Sequence, residues 1–122
     1  MQMPKPDPDI EAWADHTMTR YTCDKKKMFG SPVYFINGNM MAGVHGDGFF
    51  FRLSADDRSE LMAAVDEVSV FEPMEGRVMK DYVMLAEPLL GREGLAAWLG
   101  RSDEYVSSLP PKTPKKKSKG AK

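Results

Sequence analysis

KMFGSPVYFINGNMMAGVHGDGFFFRL, residues 27–53, decides the fold. Short apolar runs alternate here with turn residues: Met28-Phe29, Val33-Tyr34-Phe35-Ile36, Met40 to Val44, and Phe49 to Leu53. Asn37-Gly38 is the strongest break, because both residues tolerate the positive φ that a two-residue type I′ hairpin requires. Gly46-Asp47-Gly48 supplies a second turn of similar length, and Gly30-Ser31-Pro32 a third break. A parallel crossover needs a dozen or more residues, so connections this short predict an antiparallel meander of about four strands.

Working outward, residues 7–22 read as a helix. Asp7 or Asp9 caps it, Pro8 suits its first turn, and Ile10, Trp13, Thr17 or Met18, and Tyr21 make one apolar stripe. The helix is expected to fade near Thr22 or Cys23. On the other side, Ser54 reads as the cap of a short helix ending near Ala64, with Leu61, Met62 and Val65 on its apolar side. Val68 to Phe71 reads as a strand ended by Glu72-Pro73, and Val78 to Leu85 as another after the Glu75-Gly76 turn. A last helix is expected from about Glu93, carrying Leu95, Trp98, Leu99, Val106 and Leu109, to continue or restart after Gly100 and to stop at Pro110-Pro111. The order α-β-β-β-β-α-β-β-α predicts an α+β fold: an antiparallel sheet with flanking helices. Residues 1–109 form one domain, and 110–122 a disordered lysine-rich tail with too few apolar residues to offset the entropy of ordering.

The formal charge of −1 conceals an asymmetry. Lys112, Lys115, Lys116, Lys117, Lys119 and Lys122 form the cationic tail. They leave 11 basic against 18 acidic side chains in residues 1–111, a net charge of −7. An acidic body repels phosphate unless its cations gather on one face. No apolar run approaches the roughly 18 residues that span a bilayer. The polar, proline-rich start and the single cysteine lead to the expectation of a cytoplasmic protein.

No constellation points to catalysis. Cys23 has no neighbouring base in sequence, and His16 and His45 lie on different elements. One cysteine and two scattered histidines do not make a zinc site, and His45 with Asp47 is explained by a turn. Residues 43–48 are glycine-rich, but no helix follows them to hold a phosphate. Asp56-Asp57 and Asp66-Glu67 read as exposed helix ends. No enzyme, metal or cofactor is expected. The candidate binding residues are cationic: Lys25, Lys26 and Lys27 before the first strand, and Arg52, Arg77 and Lys80 near Tyr82. Phe29, Tyr34 or Tyr82 would be available to stack on a partner. Phe29, Phe71 and Trp98 are expected in the core.

Lys27-Met28-Phe29-Gly30, then Tyr34 to Val44, Arg52-Leu53-Ser54, Phe71-Glu72-Pro73-Met74-Glu75-Gly76-Arg77 and Met79 to Val83 form a series that resembles the N-terminal domain of the TfoX/Sxy family, bacterial proteins named for regulators of competence. The resemblance covers roughly residues 10–109. It implies an α+β fold of the secretion-chaperone-like type, no enzymatic activity and no cofactor. Here a lysine tail stands where the competence regulators carry a second, helical domain. The expected function is a regulatory or binding module acting through an unidentified protein partner, in transcriptional or competence regulation, with a homodimer as one arrangement. A nucleic-acid accessory protein using the tail, weakly and without sequence preference, is the alternative. A small-molecule enzyme, with a pocket at Arg52, Arg77 and Tyr82, stands third.

Overall fold

The computed structural model describes residues 7–28, 30–46, 48–65, 68–74, 76–86 and 95–111. Three helices and six strands follow the expected order: α1 (Pro8–Met18), β1 (Asp24–Met28), β2 (Ser31–Ile36), β3 (Asn39–His45), β4 (Gly48–Arg52), α2 (Ala55–Ala64), β5 (Ser69–Met74), β6 (Arg77–Ala86) and α3 (Leu95–Ser108). The strands make one antiparallel sheet in the order β1-β2-β3-β4-β6-β5. The first four are the meander. The α2 connection then carries the chain to the far edge, and β6 returns between β5 and β4.

Local chemistry sets the element ends. The Asp7 carboxylate accepts the N–H groups of Asp9 (2.8 Å) and Ile10 (3.4 Å), and Pro8 opens α1. Ser54 Oγ accepts the Asp57 N–H at 3.2 Å to cap α2. Asn37 (φ 52°) and Gly38 (φ 82°) have the positive angles of the type I′ turn. α1 stops at Met18, earlier than its pattern suggests, and α3 runs through Gly100 without a break.

Three expectations need correction. Lys25, Lys26 and Lys27 do not precede the first strand; they are its middle. Lysine has little β-propensity of its own, and pairing with β2 imposes the conformation. Ser31 and Pro32 belong to β2, and the break is confined to the turn before them. Pro73 does not end β5, which continues to Met74: it lies on an edge strand, in the irregular stretch between Phe71↔Met79 and Met74↔Arg77, where a missing donor is tolerated. Phe29 and Glu93 lie outside the described residues, as do residues 112–122.

The sheet has two apolar faces. Phe49 and Phe51 of β4, and Leu53 just after it, point into the main core with Ile10, Leu61 and Leu99 from the three helices. Trp98 is only half-buried at its margin. Phe50 points the other way, into a second cluster with Val33, Phe71 and Tyr82 that draws on none of the described helices. The sheet covers this cluster by curling. Phe50 and Phe71 stand on strands separated by β6, which in a flat sheet would be roughly 9–10 Å apart. Their rings nevertheless stack at 4.1 Å and 9°. His45, one strand further away, meets Phe71 edge-on at 5.3 Å. The ladder accounts for the curl: it jumps from Val70↔Val83 to Phe71↔Met79, leaving Lys80, Asp81 and Tyr82 without partners on β5.

Candidate binding surface

The layers differ in charge. The helices carry eight acidic and two basic side chains, a net of −6, whereas the strands carry six basic and three acidic ones, a net of +3. Every cation singled out in the body of the sequence stands on the sheet. They fall into two groups, with β2 and β3 between them.

The first group is β1, exposed along its whole length. Strand alternation sends Lys25 and Lys27 toward α1, where Lys25 Nζ lies 2.9 Å from Asp15 and 3.7 Å from Glu11, and Lys27 Nζ 3.7 Å from Glu11. Lys26 turns to the opposite face, and its ammonium sits 5.4 Å from the centroid of the Phe35 ring. The second group lies on β4 and β6. The Arg52 guanidinium donates to Asp81 at 3.1 Å and lies over the Tyr82 ring at 5.5 Å. Arg58, from α2, donates to the Leu53 carbonyl at 2.7 Å and approaches the same Asp81 at 3.5 Å. The Tyr82 hydroxyl donates to the Met40 carbonyl at 3.0 Å. Arg52 and Tyr82 thus tie β4, β6 and β3 together. Lys80 is exposed beside them; of Arg77 only the backbone, in β6, is described.

Two of the three rings proposed for stacking, Tyr34 and Tyr82, are inside; Phe29 lies outside the described residues. Tyr34 is 2% exposed and Tyr82 7%, so neither offers a face to a base or a partner ring. Tyr34 serves another purpose: its hydroxyl donates to Asp15 at 2.7 Å, with Lys25 on the same carboxylate. This pair joins α1 to β2 and β1, across a cleft of about 310 Å³ lined by Met18, Thr19, Tyr21 and Cys23 besides. Nothing in the sequence announces it, because the partners are nineteen residues apart and each looks like an ordinary surface or core residue.

Electrostatics follow from this packing. Burial, and then the hydrogen bond to anionic Asp15, push the Tyr34 hydroxyl far above the ordinary phenol value. Partial burial raises Asp15, but hydrogen bonds from Lys25 and Tyr34 outweigh it, and the carboxyl lies below its usual range. Folded Asp15 therefore holds its proton less tightly than the unfolded chain does. Its contribution is present above the unfolded carboxylate pKa and is lost as pH falls through the folded value. Urea midpoints should drop below about pH 4, and Asp15→Asn should flatten that decline. The same pH slope in both proteins would contradict the pairing.

The Cys23 thiol, half-buried in the α1–β1 connection, donates to the Met18 carbonyl at 3.7 Å. Burial, with Asp24 and Asp103 acting in the same direction, raises its pKa, the opposite of what a nucleophile needs. Burial lowers the pKa of His45, which packs on Phe71. Asp57, expected to be an exposed helix end, accepts from Arg101 of α3 at 3.1 Å. Among the described residues no three His, Cys, Asp or Glu side chains gather as a metal would require, and no helix is long and apolar enough to cross a membrane.

A family model described as the TfoX N-terminal domain matches residues 15–104. The chain belongs to this family. The match runs from the middle of α1 into α3 and takes in the whole sheet. No curated protein and no solved structure matches the chain. In this TfoX N-terminal domain the FEPxxGR series has a structural use: Phe71 clamps the curled sheet, and Gly76 (φ 82°) turns β5 into β6. The family supports a regulatory or binding module in general.

Proposed function

We propose that this TfoX N-terminal domain is a non-enzymatic regulatory module that acts through protein contacts, made on the strand side of the molecule and not on its helices. One observation carries this: in a body of net charge −7, the strands hold a local excess of cations. Such segregation steers an acidic surface toward the sheet and repels it from the helices. The raised thiol of Cys23 supports a role without nucleophilic catalysis. Protein is favoured over nucleic acid because Tyr34 and Tyr82, the described rings singled out for stacking, are buried and offer no platform for bases. The cationic tail, in the undescribed residues, bears on that second reading alone. Photo-crosslinking in the native host tests the proposal, with the reactive residue at position 26 on the sheet or 104 on α3. Partner proteins should be captured from position 26; capture from 104 alone would overturn it.

A further inference from the structure

The sheet has two edge strands, β1 and β5, and they are built differently. β5 carries Pro73, which has no N–H to donate, and its ladder with β6 is broken twice. Such an edge is a poor template for another strand. β1 has neither defect. Its five residues pair with β2 in unbroken register, from Asp24↔Phe35 to Met28↔Ser31, and all five are exposed. Lysines on an edge ordinarily guard it. Here they are drawn inward, Lys25 and Lys27 onto Asp15 and Glu11 of α1 and Lys26 over Phe35 of β2. Their charges lie above and below the sheet, and among the described residues nothing covers the main-chain rim of β1.

We propose that β1 is a docking strand, to which an extended acidic segment of a partner protein adds as a further antiparallel strand. The inference rests on the protein-contact reading and names its partner chemistry. Main-chain hydrogen bonds supply affinity in this mode, and alternate side chains supply specificity. Acidic side chains of the incoming strand would meet Lys26 on one face and Lys25 and Lys27 on the other. The existing ion pairs lie at the surface, where solvent screens them, so the lysines are free to share their charge. A second copy does not fit. A two-fold β1–β1 pairing centred on Lys26 sets that residue against itself and Lys25 against Lys27, and like charges directly opposite destabilise a sheet. The chain's own lysine-rich tail meets the same repulsion.

Amide hydrogen exchange on the full chain tests the proposal. The probe is an end-blocked peptide alternating glutamate and valine, with a lysine–valine peptide and oligothymidylate as controls. The glutamate peptide should slow exchange within residues 24–28 by about fivefold or more and leave α2 and α3 unchanged. Lys26→Glu, on an exposed side chain, should weaken the probe about threefold to tenfold, and Lys26→Gln should fall between. No slowing at saturating probe, equal slowing by the lysine peptide, or equal protection by oligothymidylate would each overturn strand addition. If crosslinks from position 26 still capture host proteins while β1 stays unprotected, strand addition fails and the protein-contact reading stands.

Discussion

Phe71→Ala is expected to cost about 3–5 kcal/mol, a large share of the roughly 5–15 kcal/mol available to a domain of this size. Phe71 is 4% exposed although its cluster includes no residue of the described helices. It is covered by Phe50 at 4.1 Å, His45 at 5.3 Å and Tyr82 at 6.5 Å, all on other strands. Truncation removes the ring that holds the curl closed, so water should enter the second cluster. Thermal unfolding should fall by well over 10 °C, since each kcal/mol is worth about 4–8 °C in a small domain. Phe71→Leu should recover part of the loss. An unchanged melting temperature would show that the curl does not depend on this side chain.

Gly43→Ala is the second large effect, and it tests the same cluster from beneath. A Cβ at Gly43 would lie 2.5 Å from Phe50 Cζ and 2.8 Å from Val33 Cγ1. The Phe50 ring cannot swing clear, because Phe71 lies on it. Overpacking of this kind costs about 1–3 kcal/mol, despite the gain in β-propensity that alanine brings over glycine. Urea unfolding should show the loss, and Gly43→Ala combined with Phe50→Leu should relieve part of it. A stabilised single variant would mean that Phe50 has room to move.

These two sites mark where the sequence stops being informative. Asn37-Gly38, the Asp7 and Ser54 caps and the apolar runs of the meander act through neighbours a few residues away, so they are readable directly. The stacking of Phe50 on Phe71 depends on a ladder jump opposite Lys80, Asp81 and Tyr82, which no local pattern encodes. The same holds for β1. Its lysines look like a loop until β2 is placed beside them. Trp98 looks like a core residue by helical spacing, yet it stays half-exposed under the Arg101 guanidinium, 4.5 Å from its ring. Among the candidate residues, the cations were legible as a class. Their division into β1 and the β4–β6 group was not, because only strand order separates them. Tyr34 and Tyr82 were misplaced for a related reason: a tyrosine with a buried ring and a bonded hydroxyl looks the same in sequence as an exposed one.

The central claim is that partners meet the strands and not the helices, and paired photo-crosslinking from positions 26 and 104 in the native host measures it most directly. Both side chains are exposed and stand on opposite layers, so a common labelling efficiency makes the yields comparable. The account predicts discrete protein adducts from position 26 that are lost when Lys25 and Lys27 are both changed to Glu, and only background from position 104. Adducts from position 104 with none from position 26 would place the contact on the acidic helices and contradict it.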